Sequence, residues 1–241
     1  MEGLTDLHNH SLPGVDDGAS DWEMSLTMLA QAWEDGIGQI VLTPHVKPNG
    51  HSAPPAVIQG VFDRLVKKAE AQFPKLRLFL GAEILYSSDL MQGENRLSLP
   101  TLAGSSYVLV EFIPSASSRL IFNAVNELVR AGYLPILAHV ERYLCLRREP
   151  DLLEQLADTG AFLQVNAGSI LGRSGWKTKR FCAGLLRQGL VSFVASDAHD
   201  PKHRRPQLSG CEEHIRRKYG ESYAARLFQN NPKKVIRNQR I

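Results

Sequence analysis

Cysteine is scarce: only Cys145, Cys182 and Cys211 occur in 241 residues, and no two form a CxxC pair. An odd number of widely separated thiols excludes a disulfide framework and leads us to expect reduced thiols in the cytoplasm. Long apolar runs are missing too. None approaches the roughly 18 residues that a membrane span requires. The N-terminal MEGLTDLHNH lacks the apolar region of a signal peptide. A strong excess of one charge is also absent. The 28 Lys and Arg face 25 Asp and Glu, for a formal net charge of +3. That balance argues against a dedicated nucleic-acid binder, although the stretch from Lys202 onward is locally basic. No internal repeat, low-complexity tract or long linker interrupts the chain. With 43% hydrophobic and 22% charged residues, disorder and collagen-like structure are excluded. The length suits one large globular domain or two small ones with a real core, and we expect a single domain over 1–241.

What is present is an alternation of short apolar runs with amphipathic ones. Strands are expected to end near His10, Thr43, Glu83, Glu111, His139, Asn166 and Asp197. GIGQIVLT is typical, being short, β-branched and introduced by glycines. In SDWEMSLTMLAQAWEDG, Trp22, Leu26, Leu29, Ala30 and Trp33 recur at helical spacing, with Ser20 or Asp21 as cap and Gly36 as stop. Similar patterns cover about 55–73, 118–132, 150–159, 177–189 and 207–219. Strand and helix alternating about seven times predicts a parallel sheet, closed most economically as a (β/α) barrel. An open doubly wound sheet is the alternative, but no GxGxxG follows the first strand. Segment 84–106 reads as an insertion over one face of the barrel.

The polar residues at the strand ends carry the chemistry. Strand period is two, so His8 and His10 in LTDLHNH share a face, as do Asp197 and His199 in FVASDAH. Closing the sheet would make these two ends neighbours. Between them come Thr43-Pro44-His45, Gly81-Ala82-Glu83, Val110-Glu111 and Ala138-His139. With 25 acidic residues and eight histidines in the chain, chance placement at six of seven strand ends is improbable. Any one of them alone would read as a hydrogen-bonded or solvated side chain. Together they would repel one another unless cations lay between them. With Asp17 the set exceeds what one ion needs and suggests two or three divalent ions. Nitrogen and oxygen ligands without thiolate suit Mn, Fe, Zn or Co. Active sites of α/β barrels lie at this C-terminal face of the strands.

His8-Asn9-His10, Gly14-Val15-Asp16-Asp17-Gly18 and Thr43-Pro44-His45 resemble the PHP (polymerase and histidinol phosphatase) superfamily. Gly81-Ala82-Glu83, His139-Val140-Glu141-Arg142-Tyr143, Ser196-Asp197-Ala198-His199, Arg204-Arg205-Pro206 and Asn231-Pro232 sharpen the likeness. They resemble the bacterial PHP-type tyrosine-protein phosphatases of capsule and exopolysaccharide loci. This resemblance implies a distorted (β/α)7 TIM-like barrel with three divalent ions at its mouth, Mn foremost. Carried over by position, one ion takes His8, His10, Glu83 and Asp197. A second shares Glu83 and adds Glu111 and His139. A third takes Asp17, His45 and His199, with Asp17 preferred to Asp16 as the second acid of the family's Asp-Asp-Gly. Arg142 and Arg205 would hold phosphate, with Arg204 as the alternative to Arg205.

The implied reaction is hydrolysis of phosphotyrosine on a protein by a metal-bridging hydroxide. The implied partner is a bacterial tyrosine autokinase of capsule or exopolysaccharide synthesis. A small-molecule PHP phosphoesterase, such as a histidinol-phosphate phosphatase, is the alternative. A metal-binding regulatory module without turnover is a third reading. Cys211-x5-Arg217 matches the spacing of thiolate phosphatases, but its interior is helical and acidic rather than glycine-rich, so Cys211 is expected to be structural. His51, His203 and His214 have no ligand-like neighbours in sequence. Lys233, Lys234, Arg237 and Arg240 read as a solvated basic tail. Tyr86 and Phe112 read as core aromatics that could also line a ring-binding wall.

Overall fold

A computed structural model of the chain describes residues 3–47, 52–91 and 99–241. Among the described residues there are nine parallel strands: β1 Leu4–Asn9, β2 Ile37–Leu42, β3 His45–Val46, β4 Arg77–Leu80, β5 Glu83–Leu85, β6 Tyr107–Glu111, β7 Leu134–Leu137, β8 Phe162–Asn166 and β9 Phe193–Ala195. Hydrogen bonding groups them as β1-β2-β4 and β3-β5-β6-β7-β8-β9. The two groups belong to one circuit, because β3 continues β2 past Thr43-Pro44 and β5 continues β4 past Gly81-Ala82. Counting each interrupted pair once gives the expected seven strands. Gly81 permits the second break, since a Cβ there would lie 2.7 Å from Leu102 Cδ2 and 3.0 Å from Val41 Cγ1. The circuit closes between β9 and β1 by one bridge, Asn9 to Ala198. There His10 N–H donates to Ala198 O and Asp197 N–H to His8 O, each at 2.9 Å. Closure by a bridge rather than a ladder is the distortion of this barrel.

Helices fill the crossovers: α1 Trp22–Glu34, α2 Pro55–Gln72, α3 Ser118–Arg130, α4 Leu144–Arg148, α5 Asp151–Asp158, α6 Ala167–Leu171, α7 Trp176–Gln188, α8 Ser209–Tyr219, α9 Glu221–Ala225 and α10 Asn231–Ile236. The six expected helices appear within two residues of their expected bounds. Asp21, rather than Ser20, caps α1 by accepting from Met24 N–H at 2.9 Å. The short α4, α6, α9 and α10 escaped the periodicity reading, because one or two turns hold too few residues to display a period.

Alternation along the strands separates two cores. Val108, Val110, Leu137, Leu163, Val165 and Val194 pack outward with Ile121, Ala124, Val125 and Leu128 of α3 and with the other helices. Tyr107, Leu109, Ile136, Phe162 and Phe193 form the inner cluster, with Val235 and Ile236 of α10 packed against it. On the same inner parity, Glu111 follows Leu109, and Gln164 and Asn166 follow Phe162. The barrel is therefore apolar at its base and polar at its mouth.

The chain's last residues are docked more firmly than a solvated tail. Asn238 Oδ1 accepts from Ser106 N–H, and Tyr107 O–H donates to Gln239 O, both at 2.9 Å. Lys233 and Lys234 are half-buried, whereas Arg237 and Arg240 are exposed. The expected insertion over 84–106 lies partly outside the described residues, as does His51. Its described parts include single 3-10 turns at Ser88–Met91 and Leu102–Gly104.

Candidate metal centre

All nine expected ligands converge on the mouth of the barrel. Glu83, the first residue of β5, lies at the middle. Its Oε2 is 3.0 Å from His8 Nε2, 3.2 Å from His10 Nε2 and 3.3 Å from His45 Nδ1, and its Oε1 is 2.7 Å from His139 Nε2. Asp197 Oδ1 is 3.5 Å from His8 Nε2 across the β9–β1 closure. His45 Nδ1 is 3.0 Å from Glu111 Oε1, while its Nε2 is 3.3 Å from Asp17 Oδ1. His199 Nε2 completes the set 3.7 Å from that same Asp17 oxygen. Three groups have donor atoms close enough to share an ion: His8, His10, Glu83 and Asp197; His45, Glu83 and Glu111; and His10, Asp17, His45 and His199. His45 thus lies between the second and third groups, and His139 reaches the second through Glu83.

Local backbone geometry aims these side chains. His139 (φ 33°) and Asp197 (φ 53°) both take left-handed backbone at the ends of their strands. That conformation is costly for residues with a Cβ and persists where the surroundings fix it. Gly18 lets the Asp16-Asp17 turn close over β1, since a Cβ there would lie 2.1 Å from His10 O.

The residues that orient the ligands were not identified in the sequence. Asp16 Oδ2 holds His10 Nδ1 at 2.8 Å and also accepts from His45 N–H at 3.1 Å. Gln164 Oε1 lies 3.3 Å from His8 Nδ1 and accepts from His139 N–H at 2.8 Å. Gln164 Nε2 donates to Asn166 Oδ1 at 2.8 Å, and Asn166 Nδ2 donates to Asp197 Oδ2 at 2.7 Å. His199 Nδ1 meets Asp197 O at 3.1 Å. In His8, His10 and His199 the Nδ1 is occupied, which leaves Nε2 facing the centre. This is the usual way in which an outer partner fixes the tautomer and aim of a metal-binding imidazole. The signal available in sequence was slight: Asp16 adjoins Asp17, and Gln164 and Asn166 share the parity of the polar strand ends.

Two observations show that the donors fit divalent cations. His8 Nε2 and His10 Nε2 stand 3.1 Å apart, a contact that only a shared proton or a cation makes favourable. His45 Nδ1, His139 Nδ1 and Asp197 Oδ1 are buried without a hydrogen-bond partner. For His45 Nδ1 and Asp197 Oδ1, charged neighbours are near but misaligned. The electrostatics agree. Burial pulls His10 towards the neutral form, yet Asp16 and Glu83 outweigh it and push its pKa up to about 10. Burial would raise Glu83, but the charge of His8 and hydrogen bonds from His10 and His139 hold it well below the usual carboxylate range. Asp197 is likewise held low against burial by His8 and Arg142. Burial and the neighbouring His10 push His199 down to about 3. A proton on His10 thus balances buried carboxylate charge that bound cations would also balance.

Arg142 Nη2 donates to Asp197 Oδ2 at 2.5 Å, and its side chain is 41% exposed towards the mouth. Arg204 Nη2 lies 2.7 Å from Asp197 Oδ1. Arg205 lines one cleft with Arg142 and Arg204, but is exposed and donates its Nε–H to Lys202 O at 3.0 Å. Cys211 is buried at 1% exposure in α8, and burial pushes its thiol up. Arg217 pairs with Glu213. Tyr86 and Phe112 are core aromatics with ring centroids 5.4 Å apart, and Tyr86 O–H donates to Glu127 at 2.5 Å.

Residues 4–237 match the family described as capsular polysaccharide synthesis, CpsB/CapC. The tyrosine-protein phosphatase CpsB of Streptococcus pneumoniae is 31% identical over 243 residues, covering 99% of this chain and 100% of that protein. The tyrosine-protein phosphatase YwqE of Bacillus subtilis (strain 168) is 32% identical over 242 residues, covering 99% and 93%. A crystal structure from work on those two proteins, there called metal-dependent tyrosine phosphatases, matches with a TM-score of 0.91. Its identity is 32% over 98% of this chain and 96% of that one. Histidinol phosphate phosphatase of Lactococcus lactis matches with a TM-score of 0.57 at 14% identity, over 92% and 94% of the two chains, and so shares the fold. Matched from Leu4 to Arg237 and alike in fold throughout, the chain belongs to the CpsB/CapC family of capsular polysaccharide synthesis.

Proposed function

We infer that this chain is a metal-dependent protein-tyrosine phosphatase of capsule synthesis. The observation that carries the reading is nine His, Asp and Glu side chains joined by contacts at the barrel mouth, with two guanidinium groups at their edge. Divalent ions held there would neutralise phosphate oxygens and acidify water at neutral pH.

The chain's own residues do the rest. Asp16, Gln164 and the Asp197 carbonyl aim three imidazoles through Nε2. Glu83 and Asp197 supply negative charge between them. Asp197 holds Arg142 and Arg204 at the rim, where their remaining donors face solvent and can take non-bridging phosphate oxygens in a fork. A tyrosine leaving group has a pKa of about 10, so it departs without a strong general acid. Cys211, buried and protonated, takes no part.

The finer reading assigns three ions per chain, with Mn foremost and Fe, Zn or Co able to occupy the same donors. His8, His10, Glu83 and Asp197 form the first site. Glu83, Glu111 and His139 form the second, and Asp17, His45 and His199 the third. Arg142 and either Arg204 or Arg205 hold the phosphate; the pairing with Asp197 supports Arg204. The phosphoprotein is a bacterial tyrosine autokinase, met in the cytoplasm by residues 1–241 acting as one domain. Among the described residues no helix is long and apolar enough to cross a membrane.

The test is kcat/KM for a phosphotyrosine peptide, a phosphoserine peptide and histidinol phosphate under one metal condition. Preference for phosphotyrosine is expected. A tenfold or greater preference for histidinol phosphate would reverse the substrate assignment and leave the metal site standing.

A further inference from the structure

Beside the metal centre lies a cleft of about 230 Å³ whose lining includes Arg142, Asn166, Arg173, Asp197, Arg204 and Arg205. Its charges do not balance. Among the described residues Asp197 is the only carboxylate in the lining, and it already meets both Arg142 and Arg204. Arg173 and Arg205 contact neutral groups instead. Arg173 Nη2 donates to Gln207 Oε1 at 2.9 Å, and Arg205 Nε donates to Lys202 O at 3.0 Å. Among the described residues neither guanidinium has a carboxylate within ion-pair distance.

Arg173 is also the arginine set apart from the phosphate group. It comes from the turn between α6 and α7, whereas Arg142 follows β7 and Arg204 and Arg205 follow β9. Its backbone N–H donates to Gly168 O at 2.8 Å. Gln207 restrains its guanidinium from across the cleft. The side chain is therefore positioned while most of its donors remain unused. A phosphate monoester carries about two negative charges, which the ions and rim arginines already meet. The structure leaves Arg173 for a second anionic group.

We propose that Arg173 binds a carboxylate on the substrate chain next to the phosphotyrosine, so that the enzyme selects phosphotyrosine in an acidic sequence. A planar guanidinium matches a carboxylate in a two-point contact. The proposal rests on the phosphotyrosine reading above and adds a specificity determinant to it. The contact is made equally in the ground and transition states, so its effect falls on KM rather than kcat. It is solvent-accessible, so a preference of about three- to tenfold is expected, shrinking as salt is raised.

The experiment uses metal-loaded enzyme and phosphotyrosine peptides that differ only in Glu or Gln at the positions flanking the phosphotyrosine. The wild type should prefer one or more Glu peptides by about three- to tenfold in kcat/KM, carried by KM. Arg173→Gln should bring that ratio below twofold, and Arg173→Lys should restore part of it. Equal rates for Glu and Gln peptides in the wild type would overturn the proposal, as would an undiminished preference in Arg173→Gln. If p-nitrophenyl phosphate is hydrolysed but no phosphotyrosine peptide is, the phosphotyrosine reading itself fails, and this proposal with it.

Discussion

Asp16 shows how one side chain governs a site that it need not touch. Its carboxylate fixes His10 through Nδ1 and receives the backbone N–H groups of Gly18 and His45. Those contacts keep it ionised despite burial; burial acts to raise its pKa, and His10 with the backbone donors brings it below the ordinary value. Without it, His10 loses both its orientation and part of its basicity. Asp16→Ala should therefore weaken metal binding by about ten- to a hundredfold, read by titration of metal-free protein. Unchanged affinity would show that His10 is aimed by something else. Arg142 acts at a different step. On the proposed function, removing it would leave the donors in place but take one charge-assisted contact from the phosphate, worth about 1.5–3 kcal/mol. Arg142→Ala should keep its metal and lose at least about tenfold in kcat/KM on p-nitrophenyl phosphate. Loss of metal in that variant would recast Arg142 as a support for Asp197.

At the scale of elements, α10 is the least expected part of the fold. The sequence around Lys233 and Lys234 reads as basic, and the apolar content of one short turn is too small to register as a helix. Yet Val235 is fully buried among Leu7, Val41, Tyr107, Ile136 and Phe193, so the helix stops the base of the barrel. Val235→Ala should cost about 1–3 kcal/mol, seen as a lower urea midpoint with an unchanged slope. A variant as stable as wild type would mean that α10 merely rests on the surface. The strands and long helices were legible because their periods run for several residues, as in GIGQIVLT and the stripe from Trp22 to Trp33. The breaks at Thr43-Pro44 and Gly81-Ala82 were not, since each depends on what packs across it. The candidate ligands could be read from the polar residues that close the strands. The aim of each imidazole could not, because Gln164 comes from a strand remote in sequence from His8. The places of Arg204 and Arg205 could not be read either, because they depend on the path of the loop after His199, where His199 N–H donates to Arg204 O at 2.9 Å.

For the molecule as a whole, metal and protons compete for the same atoms. His10 opposes its burial through Asp16 and Glu83 and sits at a pKa of about 10 without metal. It is therefore protonated at pH 7, whereas a metal ligand must be neutral. Loading should release protons, and affinity should rise as pH rises towards 10. Calorimetric titrations in buffers of differing ionisation heat measure that release directly, and a value of zero at pH 7 would contradict the electrostatics described here. The seam between β9 and β1 gives loading a second role. Among the described residues Asn9 and Ala198 make the sole strand bridge there, with His8 and His10 on one bank and Asp197 and His199 on the other. An ion bound by His8, His10 and Asp197 would rivet the first strand to the last, so catalysis and closure of the barrel would share one fastening. Stripped of metal, the protein should unzip along this line first, with faster amide hydrogen exchange at His10 and Asp197 than at Leu109 or Ile136 in the unbroken wall.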